Sequence, residues 1–151
     1  MLLCTHLGAV AIGFALGIYA LPILTAPPGP DTTALQAAKQ AASYTGEFKR
    51  DLADSDMLHW GEGKLFVGRE TIAFEGALAP GPDYRLYLSP RFVETEAEFE
   101  ALKADMAQVG PVRSFDGFMI NVPGSIKPQD YTAAIVWCES FGQFITAAAY
   151  R

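Results

Sequence analysis

Asp83-Tyr84-Arg85-Leu86-Tyr87-Leu88 alternates with a period of two. Tyr84, Leu86 and Leu88 fall on one side of an extended chain and Asp83, Arg85 and Tyr87 on the other, so the segment is a strand with one face in a core. Outward from it, six further segments have strand composition: 44–49, 63–67 and 71–75 on the N-terminal side, and 118–122, 132–138 and 145–150 on the C-terminal side. Turn-forming stretches separate them, notably Gly76 to Pro82 and the pair Pro123-Gly124. At least seven short strands punctuated in this way predict an all-β domain packed as an antiparallel β-sandwich.

One stretch reads differently. Thr95 and Glu98 form a capping box, acidic residues fill the first turn, and Phe99, Leu102, Met106 and Val109 recur at helical spacing up to Gly110-Pro111. The spacing predicts one amphipathic helix from Thr95 to Val109. Its apolar stripe is read as core laid on the sandwich rather than as a ligand box.

At the N-terminus, Leu2 to Leu24 gives 23 consecutive positions without Lys, Arg, Asp or Glu. As a helix that run is about 34 Å long, enough to cross the hydrocarbon core of a bilayer. A cleaved signal segment is the rival reading, because the small residues Ala20 and Ala26 accompany the run. The length of the stretch, the lack of a basic region ahead of it and Pro27 after Ala26 favour a retained anchor. Cys4 and His6 are read as tolerated residues near the bilayer edge. The chain therefore divides into residues 1–25, a transmembrane anchor or signal segment; 26–42, a Pro- and Ala-rich stalk with a weak helix over Ala34 to Ala42; and 43–151, the sandwich. Flanking charge does not specify which side of the membrane the sandwich occupies.

The residue inventory excludes several chemistries. With 11 Lys+Arg against 17 Asp+Glu, all after residue 30, the 151-residue chain carries a net charge of −6 and offers no surface for nucleic acid. His59 and Cys138 are the one histidine and one cysteine beyond the N-terminal segment, which is too few for a structural zinc or blue-copper centre, so no metal site is expected. No C-x-x-C-H, phosphate loop or nucleophile elbow is present, which removes covalent haem attachment, nucleotide binding and serine hydrolysis. Asp51, Asp54 and Asp56 read as solvated turn residues rather than a calcium loop.

What remains is a thiol, an imidazole and aromatic rings. Cys138 closes the apolar run from Ala133 and precedes a turn over Glu139 to Gly142. Such a position suits a side chain that is both rigid and reachable, and it equally suits a small buried hydrophobe. An apolar setting raises the pKa of a thiol, and no cation flanks it in sequence. His59 lies among Met57 to Gly63 with two glycines, where an imidazole can ligate, titrate or cap a turn. Trp60 and Trp137 read most simply as core.

The ordered set Tyr44 to Phe48, His59-x-Gly61-x-Gly63, Phe74 before Pro80-Gly81-Pro82-Asp83, Tyr87-Leu88-Ser89, and Val136-Trp137-Cys138 with Phe141 resembles the DM-thirteen domain family over residues 43–151. The resemblance implies an electron-transfer β-sandwich of the kind found beside DOMON and cytochrome-b-type modules in extracytoplasmic proteins. Its signature cysteine, at Cys138, would act as a bare thiol or hold a prosthetic group such as haem. On this reading the chain is a membrane-tethered redox module, its domain periplasmic or extracellular, facing a redox protein partner. Cys138 is the redox residue, His59 its partner or second ligand, and Trp137 a further contact if haem is bound. Two alternatives stand beside it. One is a non-enzymatic ligand- or protein-binding scaffold with Cys138 in the core. The other is a Cys-His hydrolase, which requires His59 and Cys138 to meet in space.

Overall fold

In the computed structural model, which describes residues 2–151, eight strands make two four-stranded antiparallel sheets. The first contains β1 (Tyr44–Phe48), β2 (Gly61–Val67), β3 (Thr71–Leu78) and β6 (Phe118–Asn121), in the order β1-β2-β3-β6. The second contains β4 (Tyr84–Ser89), β5 (Ala107–Val112), β7 (Ala133–Cys138) and β8 (Gln143–Ala149), in the order β5-β4-β7-β8. All seven segments expected as strands are strands, and the two sheets face one another as the sandwich.

The inner faces interlock through Phe48, Leu65 and Phe74 from one sheet and Leu86, Val136 and Ile145 from the other. Phe74 is the keystone, with its ring centroid 5.1 Å from both Phe48 and Phe118. Tilted aromatic pairs of this kind add about 0.5–1.5 kcal/mol to the area they bury. The second sheet is also covered on its outer face. There Tyr87, Ile135, Trp137 and Phe144 pack beneath Phe99 of α3 (Glu96–Leu102). A strand covered on both sides has no solvent face to mark with polar residues, which is why β7 is apolar throughout; β4 is covered on both sides too, with Arg85 its one partly exposed position.

The helix expected from Thr95 to Val109 is shorter than its spacing suggested. Thr95 does cap it, its hydroxyl accepting from the Glu98 backbone N–H at 3.2 Å, but α3 ends at Leu102. A 3-10 turn over Lys103–Asp105 follows, and Ala107–Val112 becomes β5, an eighth strand. The helical spacing joins residues of two clusters: Met106 packs with Phe99 and Leu102 on the outer face of the second sheet, while Val109 belongs to the inner core. Within β5, Tyr87 faces Gln108 and Leu86 faces Gly110, so Val109 is the extra residue of a β-bulge. Pro111, expected to end the helix, is tolerated inside β5 because that strand lies at the sheet edge.

Ahead of the sandwich, α1 (Leu2–Thr25) is long and apolar enough to cross a membrane, with Leu3, Leu7 and Phe14 all exposed. Asp31 caps α2 (Thr32–Ala41), accepting from the backbone N–H groups of Thr33 and Ala34 at 2.9 and 3.1 Å. Buried Leu35 and a 2.6 Å ion pair from Lys39 to Glu75 of β3 dock α2 on the first sheet. The segment read as a stalk therefore carries a helix seated against the domain.

Candidate functional site

Two turns meet where β7 ends. The first, Pro80-Gly81-Pro82-Asp83, leads into β4; the second, Glu139 to Gly142, joins β7 to β8. Asp83 holds them together. Its carbonyl accepts from the Glu139 N–H at 3.1 Å, and its carboxylate accepts from the Ser140 hydroxyl at 3.0 Å and from Arg85 at 2.7 Å. Asp83 sits at φ 51°, a left-handed conformation that Asp and Asn adopt more readily than most residues. Gly81 is required for a different reason: a Cβ there would lie 2.3 Å from the Tyr84 hydroxyl oxygen. The motif before β4 is thus a turn folded tightly over the Tyr84 ring.

Cys138 lies under that turn. Its Sγ donates to the Pro82 carbonyl at 3.1 Å, and the residue is only 3% exposed. Burial pushes the thiol pKa up, and the carboxylates of Asp83 and Glu139 push the same way. The backbone N–H groups of Phe141 and Ser140, aimed at the sulfur, oppose them without prevailing. The resting sulfur is a protonated thiol with two amide donors ready for any negative charge it acquires.

His59 faces the same space. Asp56 Oδ1 accepts from the backbone N–H groups of Leu58 and His59 at 2.6 and 2.8 Å, and Oδ2 lies 3.0 Å from His59 Nδ1. The hydrogen bond to His59 is the main reason the Asp56 carboxyl sits below its ordinary value. With Nδ1 held by a carboxylate, Nε2 is the nitrogen left for other work. His59 and Cys138, 79 positions apart, line one cleft of about 350 Å³. Ile18 and Tyr19 of α1 form part of its wall, together with Tyr84, Phe141 and Gln143.

Trp137 is not brought into this cleft. Alternation along β7 turns it to the outer face, where its ring stacks on Phe99 at 4.0 Å and 12°. The Lys103 ammonium lies 5.7 Å from the Trp137 ring and bonds Glu139 Oε2 at 2.9 Å. Glu139 also accepts from the Tyr87 hydroxyl, which in turn reaches Gln108 at 2.9 Å. Burial works against the Glu139 carboxylate, but the bonds from Tyr87 and Lys103 outweigh it and hold its pKa low.

Sequence reasoning did not single out Asp56, Gln143 or the α1 contribution. The Asp56-x-x-His59 spacing carried a usable signal, since an Asx turn brings an aspartate onto the residue three later. No local pattern announces that α1 borders the cleft. For haem, the donor chemistry does not match thiolate ligation. Iron held in a macrocycle would need a sulfur open to a flat ring system, whereas this one lies under Pro82, 3% exposed, at a cleft of about 350 Å³. His59 alone does not complete such a site.

The family model described as Electron transfer DM13 matches residues 48–150, about two thirds of the chain. No curated protein and no solved structure matches. The match spans β2 to β8 with both turns, Cys138 and His59, and the chain belongs to the electron transfer DM13 family.

Proposed function

We propose that the domain is a membrane-tethered, extracytoplasmic electron-transfer module whose reactive group is the Cys138 thiol, with His59 as its proton partner. The observation that carries this reading is the convergence of Cys138 and His59 on one cleft. When the thiol loses its proton, the amides of Ser140 and Phe141 meet the charge on sulfur. His59, poised by Asp56, is the nearby base in the same cleft. Two-electron oxidation by a peroxide would form an S–O bond as the O–O bond breaks and water leaves, giving a sulfenic acid. The domain has no second cysteine, so return to the thiol requires a reductant from outside, consistent with a redox protein partner.

The scaffold reading has one observation of its own: the Sγ to Pro82 bond makes Cys138 a pin for the Pro80 to Asp83 turn. Exposing the folded full chain, with the exposed Cys4 of α1 replaced by Ser, to hydrogen peroxide and trapping sulfenic acid with a dione probe separates the two. The redox reading expects labelling in this Cys4→Ser parent, none when Cys138→Ala is added, and slower labelling when His59→Ala is added. A native thiol that stays unlabelled until the protein unfolds leaves Cys138 as a pin and sinks the redox reading.

A further inference from the structure

The cleft is bordered on one side by the sandwich and on another by α1 itself. Ile18 lies seven residues before the end of the helix at Thr25, about 10 Å along its axis. Each interfacial layer of a bilayer is about 5–8 Å thick, the difference between the full and hydrocarbon thicknesses shared over two sides. A spanning α1 whose end is flush with the membrane surface therefore sets the Ile18–Tyr19 wall at the boundary between headgroups and hydrocarbon. Tyr19, half exposed, is the kind of side chain that sits there.

The sandwich presents a matching edge. Met57, Leu58 and Phe141 are among its few exposed large apolar side chains, at 91%, 55% and 53%, and Leu58 and Phe141 line the cleft. Solvent-facing residues of this type around one opening mark a surface that meets something apolar. On the neighbouring flank of the helix, Arg113 lines a second cleft with Leu21, Pro22 and Thr25, at the level where cations meet lipid phosphates.

The walls are apolar where Ile18, Leu58, Pro80 and Ile145 stand, and polar at only a few points. His59 supplies the most versatile of these. With Nδ1 tied to Asp56, Nε2 accepts from a hydroxyl when the ring is neutral and donates to a carbonyl when it is protonated. Gln143 adds an amide group on the same cleft. A volume of about 350 Å³ lies at the low end of small-molecule pockets and suits one substituted ring rather than a macrocycle. An apolar ring that exchanges carbonyl for hydroxyl oxygen, and that arrives through the lipid, is a quinone.

We infer that the cleft between α1 and the Cys138 end of the sandwich binds the head group of a membrane-dissolved quinone, with His59 on one of its oxygens. This rests on the electron-transfer and anchor readings above and names the small molecule they lack. The ring lies between Leu58 and Phe141, and its tail runs back along α1 into the bilayer.

The test uses the purified full chain in detergent micelles. Binding of a ring-substituted benzoquinol with a short alkyl tail, the reduced form whose hydroxyl the neutral His59 Nε2 accepts, is compared with binding of its dimethyl ether, both by equilibrium dialysis under reducing conditions. The wild type should prefer the quinol by about tenfold, the worth of one hydrogen bond to a poised group. His59→Ala should abolish the preference. Phe141→Ser, on an exposed turn, should weaken the quinol by about tenfold through lost apolar contact. Equal binding of quinol and ether, or binding indifferent to both variants, overturns the inference. Peroxide labelling of Cys138 in the Cys4→Ser chain, without quinol, keeps the two readings apart: a reactive thiol with no selective quinol binding defeats this inference alone. An inert thiol with selective quinol binding defeats the thiol mechanism and leaves the quinone site standing.

Discussion

Trp137 and Cys138 are neighbours in the chain and belong to different parts of the molecule. Trp137 is locked in an aromatic and ionic stack with Phe99, Tyr87, Lys103 and Glu139 on the outer face of the second sheet. Cys138, one step along β7, points to the inner face and the cleft. One residue carries packing and the other chemistry, and the period of two along a strand is what separates them. The stack is also tied to the cleft, because Glu139 bonds Lys103 and Tyr87 through its side chain and Asp83 through its backbone.

On this division, the heaviest blow to stability comes from the stack. Trp137→Ala removes a ring 1% exposed and should cost about 3–5 kcal/mol in denaturant unfolding, the usual cost of emptying a buried aromatic site. Where the variant remains folded, its thiol should react as in the wild type. A large gain in native thiol reactivity with little loss of stability would reverse the two roles.

Gly81→Ala attacks the other side. Its Cβ would meet the Tyr84 hydroxyl, so the turn must lift from the ring, at a cost of about 1–3 kcal/mol. Because that turn covers Cys138, native alkylation should accelerate, measured in a Cys4→Ser background so that Cys138 is the thiol read. The wild-type rate should reach half its maximum only above pH 9.0, since burial raises the thiol pKa over that ordinary value. Gly81→Ala should move the midpoint downward. An unchanged midpoint means that the Pro80 to Asp83 turn does not shield the sulfur.

The two regions were not equally legible in the sequence. β4 announces itself by alternation, although Tyr87 on its outer face is buried as well, and β7 by its unbroken apolar run. β5 did not, because Met106 and Val109, three apart, pack into two different clusters and so mimic a helical stripe, and its edge position admitted Pro111. Within the site, Cys138 and His59 stood out by scarcity alone. Their meeting depends on two turns linked through Asp83, and the third wall depends on the docking of α1; both are tertiary facts with no local signature. Asp56 was visible but read as one of three solvated acids, because no pattern in the chain says which carboxylate an imidazole will choose.

Glu139→Gln tests the link between the regions. The Glu139 carboxyl has a lowered pKa in the folded state, so its contribution is present above its ordinary value of 4.5 and fades as pH falls through the folded value. The variant should lose about 1 kcal/mol at neutral pH, a modest figure because the Lys103 pair is about a quarter to a third exposed. Its stability should fall less steeply than that of the wild type below pH 4.5. Parallel acid limbs for the two proteins would show that Glu139 carries no such charge-dependent bond.

Asp56→Asn is expected to have the smallest effect on stability, a few tenths of a kcal/mol, because the amide oxygen can still accept from the N–H groups of Leu58 and His59 and the residue is largely exposed. Its consequence for His59 is larger. The wild-type carboxylate favours hydrogen on Nδ1 and leaves the Nε2 lone pair facing outward when the ring is neutral. An asparagine that keeps both backbone bonds through its oxygen turns its NH2 toward Nδ1, which must then accept, and the neutral ring moves its hydrogen to Nε2. Nitrogen-15 chemical shifts of the imidazole report that exchange directly. With Nε2 no longer able to accept, His59 loses its competence as a base, so peroxide labelling of Cys138 should slow as in His59→Ala while the fold is untouched. A tautomer indifferent to the substitution would show that Asp56 merely shapes the loop and that the imidazole is set by something else.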